Sequence, residues 1–201
     1  MKKILITAFD PFGGEKTNPA LEAVMALPDD IKGAKIIKQE LPTVYGKSLD
    51  ILYSKIESER PDAVICVGQA GGRPNISIER IAVNIDDTEM PDNEKAVHTD
   101  KPIVPEGPAA YFSGLPVKKI ISNLHKAGIP ASISNTAGTF VCNHVMYGVL
   151  HYADINKLNL PAGFIHIPYA PKQTIEKPSS PSMSADIVVN ALKVIIGSVL
   201  E

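Results

Sequence analysis

Short β-branched, apolar runs alternate with longer stretches of helical period along this 201-residue chain. A chain patterned in that way folds in layers, because each strand and each helix must bury an apolar face against another element. Lys3 to Phe9 reads as a buried strand, and Asn18 to Met25 as a helix begun by a capping Asn followed by Pro at the first helical position. Ala34 to Leu41 is a second strand, Val44 to Glu59 a helix closed at Arg60-Pro61, and Ala63 to Val67 a third, continuously apolar strand. Further along, Lys118 to Lys126 reads as a helix stopped by Gly128 and Pro130, Ala131 to Ser134 as a strand, and Phe140 to His151 as a helix. Gly163 to Ile167 is another strand, followed by a Pro- and Ser-rich loop from Pro168 to Ser182 and a closing helix from Met183 to Leu200. The repeated strand–helix–strand order predicts an α/β fold with a mostly parallel twisted sheet covered on both faces, residues 1 to 201 forming one domain.

Ligands of such sheets sit outside the carboxyl ends of the strands. The segments leaving those ends are Asp10 to Gly14, Gly68 to Arg73, Asn135 to Cys142 and His166 to Pro171. Between them, Ile76 to Asp86 alternates but slips phase at Glu79-Arg80, where a bulge would aim a polar side chain off the regular pleat. Residues 86 to 110 contain four prolines among polar residues and read as a lid or a mobile loop.

Charge excludes some partners. With 20 Lys and Arg against 22 Asp and Glu, the net charge of −2 offers no general attraction to nucleic acid or anionic lipid. The apolar stretch Ile187 to Leu200 contains Asn190 and Lys193 and is too short to span a membrane, and Ile4 to Phe9 is too short for a secretory signal, so a cytoplasmic location is expected. Its apolar residues occupy more than one stripe, which suggests burial beyond one sheet face and a subunit contact.

Cys142 falls at a strand-to-helix turn, in the first turn of its helix if Thr139 caps it. Unpaired N–H groups and the helix dipole at such a position lower a thiol pKa and can hold an oxyanion. The plainer reading is a small buried hydrophobe on the stripe of Val141, Val145 and Val149. A thiol nucleophile needs a base, and the base an orienting group. Among five histidines only His166 is expected at the carboxyl end of a strand; alternatively it is a satisfied histidine at a sheet edge. Glu79 is favoured as the orienter on account of the phase slip, with Asp86 and Asp87 as rivals and a surface pairing with Arg80 as the plainer alternative. Cys66 reads as inert core, and two cysteines give no disulfide framework. His144 and His151 share a helix face without a third ligand, so no metal is expected, and neither Gly68 to Gly72 nor Gly13-Gly14 completes a nucleotide motif.

Four stretches taken together resemble the pyroglutamyl peptidase I, or pyrrolidone-carboxylate peptidase, family. They are Thr7 to Gly14 (TAFDPFGG), Gly68 to Arg73 with Ser77 to Arg80, Ser134 to Asn143 (SNTAGTFVCN) and Phe164 to Tyr169 (FIHIPY). The resemblance runs across essentially the whole chain. It implies an open α/β/α sandwich and a cytosolic, cofactor-free cysteine exopeptidase, commonly a homotetramer, that removes N-terminal 5-oxoproline from peptides. Carried over residue by residue, it makes Cys142 the nucleophile, His166 the base and then acid, and Glu79 the orienter. It matches Phe9, Phe12, Thr43, Phe140 and Val141 to the ring-binding residues and places Gln69 near the scissile carbonyl. Many members carry Arg at the position of Glu89. The other readings are a different Cys-His-Glu amidohydrolase, such as a glutamine amidase-like protein, and a catalytically silent ligand-binding protein.

Overall fold

The computed structural model describes Met1 to Glu201. In chain order the elements are β1 (Lys3–Phe9), α1 (Pro19–Met25), β2 (Asp30–Ile31), β3 (Ala34–Leu41), α2 (Lys47–Glu59), β4 (Ala63–Gln69), β5 (Ile76–Glu79) and β6 (Ile81–Val83). They continue with β7 (Ala110–Phe112), α3 (Val117–Lys126), β8 (Ala131–Ser134), α4 (Val141–Ile155), β9 (Ala162–Ile167) and α5 (Ala185–Leu200). Seven strands make one sheet in the order β2-β3-β1-β4-β9-β5-β8, and β6 and β7 pair separately.

Every residue of β4 and of β9 is buried, as expected of strands covered on both faces. On one side Ile4, Ile6, Ile65, Ile76, Ile78, Ile165 and Ile167 pack under α1, α3 and α5. On the other, Leu5, Val64, Cys66 and Phe164 pack under α2 and α4. The result is the α/β/α sandwich expected from the sequence. Helix starts follow local chemistry: Asn18 Oδ1 accepts the Ala20 N–H at 3.0 Å, and Pro19 opens α1 where no intrahelical partner is lost.

One expectation is corrected. There is no bulge at Glu79-Arg80; the chain ends β5 there and joins the second sheet through β6. Glu79 lies on the α4 side by ordinary alternation, since Ile76 and Ile78 face the opposite core. The sheet is mostly parallel, as expected, with two antiparallel pairs: β2 with β3 and β5 with β9, while β8 runs parallel to β5. The link 70–75 between β4 and β5 is too short for the dozen or so residues a parallel crossover needs, so the chain must reverse. On α5, Val189, Val194, Val199 and Leu200 are partly buried against the same core as its buried face, and Ile187 is exposed.

Candidate active site

β4 and β9 are in register with Gly68 beside His166. The glycine leaves room for sulfur: a Cβ on Gly68 would stand 3.1 Å from Cys142 Sγ and 2.9 Å from the Phe164 ring. The thiol therefore lies over the β4–β9 junction, on the face that carries His166. The antiparallel pairing of β5 with β9 sets Ser77 opposite His166, so Glu79 lies one step along and can reach the ring diagonally. His166 Nδ1 and Glu79 Oε1 are 2.7 Å apart, with His166 almost fully buried and Glu79 fully so. Of the three side chains chosen from sequence, His166 and Glu79 are thus in contact, and Cys142 lies against Gly68, the strand neighbour of His166.

Burial disfavours charge on Glu79, but hydrogen bonds from His166 and Arg73 outweigh it and hold the carboxyl below its ordinary range. Burial likewise pushes His166 down, against the opposing pull of Glu79. The resting pair is therefore a carboxylate with a neutral imidazole whose Nδ1 carries the proton, leaving Nε2 as the nitrogen available to a thiol. Cys142 departs from expectation. Burial, reinforced by the Glu79 carboxylate, pushes its thiol up to about 12 although it stands at a helix start. Phe140, not Thr139, is the capping residue of α4; the Thr139 hydroxyl instead donates to the Asp87 carbonyl.

The helix start that carries the thiol is fastened by the two residues after Cys142. Asn143 is fully buried; its amide donates to the Val83 and Ile85 carbonyls, and its Oδ1 accepts the Val83 N–H. His144 places Nδ1 2.8 Å from Asp86 Oδ2, while its Nε2 accepts the Gly46 N–H at 3.2 Å. Asp86 is thereby committed to His144 and His98, and neither it nor Asp87 takes part in the His166 pair. The remaining histidines are also engaged, His125 with the Ala131 carbonyl and His151 with the Tyr111 hydroxyl.

Residues matched to ring binding divide into two groups. Phe12 and Phe140 are half-buried and face each other with centroids 6.2 Å apart, and Val141 is buried beside them at the start of α4. Phe9 is packed in the core against Phe164 at 6.2 Å, and Thr43 is tied by both its N–H and its hydroxyl to Asp10 Oδ1 at 2.7 Å. Alternation along β4 turns the Gln69 side chain to the face opposite Gly68, where its Oε1 accepts from Gln173 at 3.0 Å. Only its backbone can serve the crevice. Residues 86 to 110 are fastened to the strand ends, with the Asn93 amide donating to Asp10 Oδ1 and to the Pro11 carbonyl. Glu89 is exposed on that loop. Sequence reading missed Arg73, whose Nη1 lies 2.6 Å from Glu79 Oε1.

A thiol, an imidazole and a buried carboxylate converging at a strand-to-helix turn of an α/β/α sandwich define a cysteine hydrolase class. The profile of the family described as pyroglutamyl peptidase matches residues 2–201. A pyrrolidone-carboxylate peptidase of Caldanaerobacter subterraneus subsp. tengcongensis is 54% identical over 199 residues, covering 99% of this chain and 97% of that protein. A second, from Treponema denticola, is 53% identical over 203 residues, covering 99% of this chain and 94% of that protein. The crystal structure of Bacillus amyloliquefaciens pyroglutamyl peptidase I superposes with a TM-score of 0.95 at 46% identity, covering 99% of this chain and 97% of that one. The chain belongs to the pyroglutamyl peptidase family.

Proposed function

We propose that this pyroglutamyl peptidase works by thiol acyl transfer, with Cys142 as nucleophile, His166 as general base and then acid, and Glu79 as the group that orients the imidazole. The 2.7 Å contact between His166 and Glu79, beside a thiol given room by Gly68, carries the reading. As Sγ attacks the 5-oxoprolyl carbonyl carbon, His166 Nε2 takes the thiol proton. The N–H groups of the first turn of α4, where the first backbone bond runs from His144 N to the Phe140 carbonyl, donate to the developing oxyanion. The C–N bond then breaks, His166 passes its proton to the leaving amine, and a thioester remains. Water attacks the thioester with His166 again as base, releasing pyroglutamate and restoring the thiol.

Specificity follows from desolvation. A lactam is neutral and suits an apolar slot between Phe12 and Phe140, closed by Val141, with Phe9 and Thr43 shaping its floor and the Gln69 backbone at its edge. An uncyclised N-terminal Glu would bring two charges into that slot at a cost of several kcal/mol.

In this reading residues 1–201 act as one catalytic domain, need neither metal nor cofactor, and take pyroglutamyl peptides as substrates, not nucleic acid. Two free thiols suit a reducing, cytoplasmic compartment, and no helix is long and apolar enough to cross a membrane. Homo-oligomer assembly, a tetramer by resemblance, is supported by exposed Phe112 and Ile155 and is tested by light scattering. The decisive experiment on the thiol is Cys142→Ala assayed on a pyroglutamyl reporter amide. Cleavage is expected to fall by at least about 1000-fold with the circular-dichroism spectrum unchanged, and retained cleavage overturns the assignment.

A further inference from the structure

The acyl-transfer scheme leaves one charged group beside the dyad without a role. Arg73 lies in the link 70–75 that follows β4, and its Nη1 donates at 2.6 Å to Glu79 Oε1, the same oxygen that receives His166 Nδ1 at 2.7 Å. Glu79 is fully buried and its Oε2 makes no hydrogen bond, so its imidazole and guanidinium partners both converge on Oε1. The second arm of the guanidinium, Nη2, donates to the Thr136 carbonyl at 3.1 Å, and Nη1 lies 3.4 Å from Ser134 Oγ. One side chain thus joins β5, the end of β8 and the turn that leads to Cys142.

We propose that Arg73 is a positioning residue for the reaction: it fixes the carboxylate that aims His166, and it sets the pH range over which that imidazole works. The proposal rests on the assignment of Cys142, His166 and Glu79 made above. A planar guanidinium suits the task because it holds two acceptors in fixed directions, which an ammonium cannot do. The ionisable groups facing the pair are Glu79 from β5, Cys142 from α4, Cys66 from β4 and Arg73 itself. Of these only Arg73 is a cation, and both cysteines are held as neutral thiols, each pushed up to about 12 by burial. The guanidinium charge opposes protonation of His166 and favours the thiolate of Cys142. Without it, the imidazole gains its proton at higher pH, and a protonated imidazole cannot accept one from the thiol.

The test measures kcat and KM on a pyroglutamyl reporter amide between about pH 5 and 9 for wild type, Arg73→Met, Arg73→Lys and Cys142→Ala. For Arg73→Met the acid limb of kcat/KM is expected to move up by about one pH unit. Its kcat at neutral pH is expected to fall about tenfold or more, with KM within about twofold of wild type. Arg73→Lys keeps the charge but loses the fork, so the acid limb returns to within about 0.3 unit of wild type while kcat is only partly restored. A folded Arg73→Met with an unmoved acid limb overturns the proposal and reduces Arg73 to a structural tie. A loss confined to KM overturns it as well, by placing Arg73 on the substrate. If Arg73→Met does not fold, Arg73→Lys decides: reduced kcat at unchanged KM supports the proposal, and wild-type kcat or a raised KM overturns it. An active Cys142→Ala would instead sink the underlying acyl-transfer assignment.

Discussion

His166 with Glu79 and His144 with Asp86 are built from the same residue types at nearly the same separations, 2.7 and 2.8 Å, and both lie beside the first turn of α4. Each carboxylate has one buried oxygen without a hydrogen bond. They differ in the second ring nitrogen. His144 Nε2 already accepts the Gly46 N–H, so both nitrogens are spent on holding the backbone. His166 spends only Nδ1. The carboxylates differ too: Asp86 receives a second histidine, His98 at 3.1 Å, whereas Glu79 receives a guanidinium. A polar cavity of about 370 Å³ opens next to His144, lined by Tyr45, Asp86, His98 and Lys101, and His166, the proposed proton-moving group, does not line it. A histidine–carboxylate contact is therefore no sign of catalysis until the other nitrogen is traced.

The strongest way to break this contrast is to remove each imidazole in turn. His166→Ala is expected to lower kcat/KM on a pyroglutamyl amide by about 1000-fold, within the range that general bases supply, with little change in fold. His144→Ala should do the reverse. It strips Asp86 of its closer partner and leaves the Gly46 N–H unpaired, at about 1–3 kcal/mol for each unsatisfied group, so the thermal midpoint drops. Activity per folded molecule should stay within about threefold of wild type. Equal activity losses in the two variants, corrected for folded fraction, would erase the distinction.

The carboxylates sharpen it further. Glu79→Gln keeps the shape but removes the charge that fixes the Nδ1–H tautomer, and a loss of about 100-fold in kcat is expected, smaller than removal of the base itself. Asp86→Asn retains an acceptor for His144 and should change kcat by less than about threefold. The same assay on both variants checks this, and a larger effect at Asp86 would move the orienting role to the second pair.

How far the sequence discloses this arrangement depends on the residue. β1, β4 and β9 are legible as apolar runs because both their faces are covered, whereas β2 and β7, two and three residues long, have no period to read. The reversal of β5 was readable in the short link 70–75, which cannot support a crossover, but runs of similar strands suggest a parallel sheet first. Glu79 is picked out by a phase slip that turns out to be a change of sheet; what aims it is plain alternation. That same alternation defeats the pairing with Arg80, because neighbours in a strand point to opposite faces, and the true partner Arg73 arrives from a loop. The resting state of Cys142 was illegible, since a helix start is visible in sequence and the depth of burial around it is not.

The state of the thiol gives the smallest but most direct measurement of the asymmetry. A helix start favours thiolate, yet burial and the nearby Glu79 carboxylate push Cys142 up to about 12, and burial pushes His166 down. A neutral thiol beside a neutral imidazole means that proton transfer accompanies attack and does not precede it. Iodoacetamide reacts with thiolate, so its rate with Cys142 should climb by about tenfold per pH unit above neutrality, following the ionised fraction. Cys66, fully buried in β4 and likewise held as a thiol, should stay unmodified until the chain unfolds, and Cys142→Ala reports any background from it. A rate for Cys142 that is flat from about pH 6 to 9 would reveal a resting thiolate paired with imidazolium. His166 would then hold its proton before substrate arrives, and the contrast with His144 would lie in charge and not in the free nitrogen alone.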